Sequence, residues 1–303
     1  MNRFVTRLLA SSALALGLCA VTAQSVQAAD WSDTFIGFRY GTTFKEPQPP
    51  GSPNQGNITK EIIQLQHVSG YAYGTNFFNV DMLHSNMADK ATLVCCGSST
   101  GSGYTGSGGA NEVYVAYAHN LSLGKVFAKD MSFGPVKDVG LKAGFDFNAK
   151  DGGIAPAVRK YMVGPSFQFA VPSGFLTAAV TYYYEHNHNQ FANYGSNPQP
   201  DISFSSYQLS TAFMFPVASV GAKFQGWATY TGPKGKDYNG TETKPEFLTE
   251  LGFLFDVGRF AGKKETFYVG PGYQYWHNKF GTDANTFSGA SASVWQLEAE
   301  AHF

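Results

Sequence analysis

Charge is scarce in this sequence, and the little that is present nearly cancels. Charged residues make up 14% of the 303 residues, and the formal net charge is −1 at pH 7. A protein that binds nucleic acid or an anionic membrane surface through charge would need a marked basic excess. The composition therefore predicts no nucleic-acid partner.

Long apolar runs are also missing, except at the N-terminus. There, Arg3 and Arg7 precede an apolar run over residues 8–21, and small residues follow up to Ala28. This order is typical of a cleaved signal peptide. We expect a signal peptide over residues 1–28 and an exported mature chain over residues 29–303, whose net charge becomes about −3 with the loss of two arginines.

The mature chain has no apolar run of the roughly 18 residues that a membrane helix needs. Only helices and closed barrels satisfy the backbone hydrogen bonds in lipid. If this exported chain spans a membrane, it must therefore do so with β-strands.

Cysteine is rare, with three residues in the chain, and Cys19 lies within the signal segment. Cys95 and Cys96 are neighbours in a Gly/Ser-rich stretch, and adjacent cysteines bridge only with local distortion. We favour an ordinary exported loop over a ligand clamp. His186 and His188 in EHNHNQ are the other metal candidates, but a zinc site needs three or four ligands. We predict no metal and no cofactor.

What the chain does have is strict alternation of apolar and polar residues, which is clearest in the C-terminal segment SVWQLEAEAHF. Trp295, Leu297 and Phe303 fall on one face of a strand, and Glu298 and Glu300 fall on the other. A soluble sheet alternates too, so the rest of the chain must decide between the two.

Comparable segments of about ten residues, the length of a tilted membrane strand, recur along the whole mature chain. We count roughly twelve, joined alternately by long polar connections and by brief turns such as VPSG. The stretch from Asn120 to Pro135 is long for a turn. The pattern predicts an all-β fold, a transmembrane antiparallel β-barrel of about twelve strands in one domain.

The polar face of these segments predicts the residues that line the lumen. Most of the charged ones would form structural ion pairs that fill a narrow barrel. A subset combines flat rings, which stack on a heterocycle, with ionisable groups, which bond to sugar hydroxyls. The candidate pore-lining residues are Arg39, Asp81, Tyr114, Asp138, Lys142, Asp146, Lys223, Trp227, Glu250 and Trp276.

An enzyme is the weaker alternative. His67, His84 and His119 fall near predicted strand ends, as a lipid-face hydrolase would require. No local nucleophile motif accompanies them, and a catalytic triad is recognised by geometry rather than by sequence order. We predict that the protein is not an enzyme.

Four stretches carry a family resemblance: HVSGYAYGTNFFNVDML (67–83), LSLGKVFAKDMSFGPVKDVGL (121–141), TGPKGKD (231–237) and GYQYWHNKFG (272–281). They resemble the Tsx-like nucleoside-specific channels, and more closely their OmpK branch. The resemblance spans nearly all of the mature chain. Asp81 and Asp138 lie within the matching stretches, whereas the Cys95–Cys96 loop departs from the family pattern.

The resemblance implies a monomeric barrel of about twelve strands in the bacterial outer membrane, through which nucleosides diffuse passively. It also implies contact with lipopolysaccharide, dependence on the outer-membrane assembly machinery, and service as a phage or colicin receptor. A terminal aromatic such as Phe303 resembles the signal that this machinery reads. A general small-solute or ion porin, or a structural barrel that serves as a receptor, are the alternatives.

Overall fold

The computed structural model describes residues 29–48, 50–51, 56–89, 109–151, 156–189 and 201–303. The predicted signal segment 1–28 and the Cys95–Cys96 pair lie outside these residues. Among the described residues, no helix has the length and apolarity to cross a membrane.

The described chain forms one closed antiparallel barrel in which every strand pairs with its neighbours in sequence order. The predicted fold class, an antiparallel β-barrel with about twelve strands, is confirmed. The strands are β1 Trp31–Phe44, β2 Ile58–Tyr71, β3 Gly74–Ser85, β4 Asn111–Ser122, β5 Val136–Lys150, β6 Pro156–Phe169, β7 Phe175–Asn189, β8 Asp201–Val217, β9 Ala222–Thr231, β10 Glu246–Asp256, β11 Phe267–His277 and β12 Ser291–His302.

The first and last strands close the barrel. Arg39 lies opposite Glu298 and Tyr40 lies opposite Leu297 in the register of β1 against β12. Closure leaves no unpaired edge among the described strands. We call the end at which β1 finishes the loop end, because the longer connections lie there, and the end that carries the described N-terminus and the C-terminus the turn end.

Alternation along each strand separates two surfaces. On β12 the outward-facing Trp295 and Leu297 are 70% and 55% exposed, whereas the inward-facing Glu298 and Glu300 are buried. A barrel with an apolar outside and a polar interior is the arrangement found in membrane barrels. A small apolar cluster also lines the inner wall of β12, β1 and β2 near the loop end: Phe44, Ile58, Ile62, Ala292 and Val294.

The structure differs from the sequence predictions at two places between or beside strands. The long stretch before β5 contains a short helix, α1 (Leu123–Val126), whose preceding Ser122 accepts a hydrogen bond from the Lys125 backbone N–H. The polar segment EHNHNQ was expected to be a loop, but β7 continues through His186 and His188 to Asn189. Polar outward residues at the loop end of a strand therefore imitate a loop in the sequence.

Candidate functional site: the barrel lumen

A forked ion pair spans the lumen. The Arg39 guanidinium on β1 donates to Asp81 Oδ2 on β3 over 2.5 Å and to Glu250 Oε2 on β10 over 2.6 Å. Two side-chain amides extend this hydrogen-bond network, because Asn79 donates to Asp81 and Gln274 donates to Glu250. Arg39 is 6% exposed, and a rigid guanidinium fork suits two carboxylates better than a lysine would.

An aromatic residue adjoins each carboxylate of this fork. Tyr114 on β4 lies directly opposite Asp81, and Trp227 on β9 lies directly opposite Glu250. Directly paired residues on one face of a sheet have Cβ atoms about 5 Å apart. The inner wall therefore presents an aromatic ring, a carboxylate, a guanidinium, a second carboxylate and a second ring in succession.

The Tyr114 hydroxyl continues the network onto β5 and β6. It donates to Asp146 Oδ2 over 2.8 Å and accepts from Lys160 Nζ over 3.2 Å. The Lys160 ammonium also lies 5.5 Å from the centre of the Tyr114 ring. Asp146 and Tyr114, two predicted site residues, are thus joined directly, and Lys160, which the sequence prediction missed, binds the Tyr114 hydroxyl.

Lys142 reaches across the lumen. Its Nζ, on β5, donates to Ser210 Oγ on β8 over 3.0 Å, although β6 and β7 separate the two strands. Ser210 is a neutral acceptor, and the Lys142 ammonium forms no ion pair among the described residues. We call the eight residues of this mid-lumen belt the girdle: Arg39, Asp81, Tyr114, Lys142, Asp146, Ser210, Trp227 and Glu250.

A second cluster lies across the loop end. Glu46, just after β1, meets Lys279 Nζ at 3.1 Å, Lys60 Nζ at 3.4 Å and Lys150 Nζ at 3.9 Å. Burial by itself would raise the pKa of the Glu46 carboxyl, but the three ammonium charges outweigh it and hold the pKa at about 2. Burial lowers the pKa of Lys279, although Glu46 opposes that shift.

Trp276 belongs to the loop end rather than to the girdle. Its indole N–H donates to Glu246 over 2.7 Å, and Lys279 Nζ lies 4.4 Å from the centre of its ring. One face of the indole is therefore covered by a cation. Nearby, Lys234 from the connection before β10 pairs with Glu185 on β7 over 2.9 Å.

The turn end carries two more of the predicted residues. Lys223 on β9 pairs with Glu300 on β12 and lies 4.2 Å from the centre of the Tyr268 ring. Asp138 accepts from the Ser122 hydroxyl and from the Gly124 backbone N–H. Asp138 therefore anchors the α1 connection, and its carboxylate is engaged by that connection.

Of the ten predicted residues, the structure brings seven into the girdle and leaves Trp276, Lys223 and Asp138 at the barrel ends.

The inward-facing residues of the strands include more acids than bases. The bases are Arg39, Lys60, Lys142, Lys150, Lys160 and Lys223, and the acids are Asp33, Asp81, Glu112, Asp138, Asp146, Glu185, Glu246, Glu250, Asp256, Glu298 and Glu300. Within the described strands, the inner wall is therefore acidic.

The missed residues differ in how visible they are in the sequence. Lys160 and Ser210 alternate with the outward Tyr161 and Leu209, so strand parity alone would have placed them inside. Glu46, Lys234 and Lys279 lie in connections, where no periodicity marks a face.

The other candidate sites find ordinary partners. His188 Nδ1 lies 2.9 Å from Asp201, but no group of three or more metal-ligating side chains forms among the described residues. His67 hydrogen-bonds to Thr34, and His119 to Asn76. These hydroxyl and amide contacts explain the histidines as parts of the sheet.

No family model and no curated protein matches the chain. Solved structures with a similar fold include an outer membrane channel from Pseudomonas putida F1, at 10% identity and a TM-score of 0.46 over 92% of this chain and 98% of that chain. The KdgM porin aligns at 7% identity and a TM-score of 0.40, over 89% and 99%. The translocator domain of the autotransporter NalP from Neisseria meningitidis aligns at 12% identity and a TM-score of 0.41, over 98% of each chain. At these identities the similarity is one of barrel architecture alone.

Proposed function

We propose that the protein is a bacterial outer-membrane channel for passive diffusion of small polar solutes, and of nucleosides in particular. The observation that carries this proposal is the Arg39 fork with an aromatic residue beside each of its carboxylates. A nucleoside combines a flat heterocycle with a hydroxylated sugar, and the girdle offers partners for both parts.

The girdle supplies weak contacts rather than one tight site. Stacking on an aromatic side chain accepts any base and contributes about 1–3 kcal/mol. The carboxylates of Asp81 and Glu250 already accept hydrogen bonds from other side chains of the wall. A sugar hydroxyl would therefore add one more hydrogen bond to a carboxylate that already has partners, and the gain in binding free energy would be small. Weak successive contacts suit a channel, because a solute must leave as readily as it enters.

The acidic excess of the lumen agrees with uncharged nucleosides as solutes. A nucleotide phosphate would meet more carboxylates than ammonium groups on its way through. The resemblance to nucleoside-specific channels points to the same solute class. A monomer inserted by the outer-membrane assembly machinery is the form that we propose for the cell, since one chain closes its own barrel.

Single-channel recording tests this proposal. The refolded protein in a planar bilayer is titrated with adenosine and thymidine, and with a sugar as the control solute. Nucleosides should block the current in a concentration-dependent manner, and the sugar should not. Trp227→Ala should weaken the block about ten-fold, as the loss of one stacking contact predicts.

Trp295→Ala is the matched control, because Trp295 is an outward tryptophan that is 70% exposed. It should leave the block unchanged. A conducting pore that ignores nucleosides would favour the general small-solute or ion porin. A barrel that conducts nothing would favour the structural role with phage or colicin attachment.

A further inference from the structure

The outer wall carries a groove on its lipid-facing side, across β4, β5, β6 and β7. The groove has a volume of about 440 Å³. Its wall is formed largely by outward aromatic rings, among them Tyr117, Phe145, Tyr161, Tyr182 and Tyr184. Neighbouring rings touch: the centres of Tyr117 and Phe145 are 5.5 Å apart, and those of Tyr161 and Tyr184 are 6.4 Å apart. An apolar groove of this kind fits a hydrocarbon chain.

A basic edge borders this groove at the loop end. Arg159 lies opposite His186 in the register of β6 against β7, one outward step beyond the pair formed by Tyr161 and Tyr184. Two residues along a strand correspond to about 7 Å. The guanidinium is therefore within reach of a group that sits at the mouth of the groove.

Arg159 is exposed on the outer face of the barrel. Within the described part of the chain, neither a hydrogen bond nor an ion pair engages its guanidinium. The histidines differ, because Asp201 lies 2.9 Å from His188 and 3.6 Å from His186. The Asp201 carboxylate therefore already lies beside both imidazoles, and Arg159 is the principal cation of this edge.

We propose that this groove and its edge form a binding site for an acylated, phosphate-bearing membrane lipid. The acyl chain occupies the aromatic groove, and the phosphate pairs with the Arg159 guanidinium beside His186. An unpaired guanidinium on a lipid-facing wall would otherwise be costly, and a planar fork matches a phosphate in a bidentate manner. The site rests on the proposed membrane location and is independent of what passes through the lumen.

Native mass spectrometry of the full refolded protein in detergent micelles tests the site. Bisphosphorylated lipid A is the probe, and the same lipid without its phosphates is the control ligand. The phosphorylated form should bind better. Arg159→Gln should lower its bound fraction several-fold, and a Tyr161→Ala/Tyr184→Ala double variant should lower the binding of both forms.

Lys137→Gln is the matched control, because Lys137 is also exposed on a strand but lies at the turn end, at the start of β5. It should bind lipid as the unaltered protein does. The proposal would be overturned if Arg159→Gln and Lys137→Gln lowered the bound fraction of phosphorylated lipid A equally. It would also be overturned if the protein bound the two lipid forms equally well. Inorganic phosphate can also be added as a competitor of the phosphorylated lipid. If it displaces the lipid equally well from the unaltered protein and from the Tyr161→Ala/Tyr184→Ala variant, the proposal is likewise overturned.

The heat-modifiable gel mobility of each variant reports folding, and His186→Gln offers a second, milder test should Arg159→Gln fold poorly. His186→Gln should reduce binding of the phosphorylated lipid only. Nucleoside block measured on the same variants should stay unchanged. Failure of the lipid site and failure of the proposed channel function are therefore read from separate measurements.

Discussion

Arg39 and Glu250 are joined by a 2.6 Å hydrogen bond across the lumen, although β12 and β11 separate their strands in the barrel wall. With Asp81 as its second partner, Arg39 neutralises charge on two opposite parts of the wall at once. Removing the cation leaves two partly buried carboxylates without their shared partner, which is more costly than losing the pair as a whole.

Arg39→Gln should therefore lower the free energy of unfolding by about 3 kcal/mol, the usual cost of breaking a buried pair. The remaining carboxylates should also increase the preference of the pore for cations. Denaturant unfolding in micelles and the reversal potential in a salt gradient measure the two effects. Arg259→Gln, which alters an exposed arginine outside the strands, should change neither quantity, and equal behaviour of both variants would contradict the role of the fork.

Lys142 offers a second test of lumen electrostatics, because its only hydrogen-bond partner within the described residues is the neutral Ser210. Lys142→Met should remove a positive charge from the pathway without stranding an anion. We expect the reversal potential to shift toward cation selectivity, with a change in stability below about 1.5 kcal/mol, as for other substitutions of similar volume. Lys137→Gln removes an outward charge and should leave the selectivity as it was.

The barrel and the inward face of each strand could be predicted from alternation alone, because side chains along a strand point alternately to one face and the other. The side chains that meet each other across the lumen could not be predicted in this way. Arg39 and Glu250 are far apart in the chain, and only the order of the strands around the closed barrel sets which side chains meet across the lumen. Asp138 shows the complementary limit, since its face was predictable but its engagement with the α1 connection depends on how that connection folds.

The loop-end cluster was missed for a different reason. Glu46 and Lys279 lie in connections, where neither period nor register assigns a direction to a side chain. The same absence of pattern caused the end of β7 to be predicted as a loop. His186 and His188 lie near the loop end of the wall, where the outward residues are polar. Without apolar residues in alternation with polar ones, this segment was predicted to be a loop.

The loop-end cluster predicts a particular dependence on pH. The Glu46 carboxyl has a pKa of about 2 in the folded protein and an ordinary value of 4.5. A depressed folded-state pKa contributes stability that is fully present above the ordinary value and is lost as the pH falls through the folded value. Glu46 should therefore stabilise the barrel fully above pH 4.5 and lose its contribution between there and about pH 2.

Glu46→Gln should lower the free energy of unfolding by about 3 kcal/mol at pH 7, because it leaves three lysines without their shared carboxylate. The gap between the variant and the unaltered protein should stay constant down to about pH 4.5 and should close toward pH 2. Thermal unfolding followed by gel mobility at several pH values measures this gap. A gap that closes already between pH 7 and 5 would contradict the depressed pKa.

Glycines on the inner wall make room for the lumenal acids. A Cβ atom at Gly272 would lie 1.9 Å from Glu298 Oε1, and one at Gly252 would lie 2.9 Å from Glu298 Oε2. The Glu298 carboxylate therefore rests against two bare stretches of backbone.

Gly272→Ala should push the Glu298 carboxylate into the lumen and toward Arg39 and Glu250. Overpacking of this kind costs about 1–3 kcal/mol, and the displaced group should reduce the single-channel conductance. Gly56→Ala is the matched control, because the nearest atom to an added Cβ there is Ala88 Cβ at 3.9 Å. It should keep both stability and conductance, and a Gly272→Ala variant that matches it would show that Glu298 has another place to go.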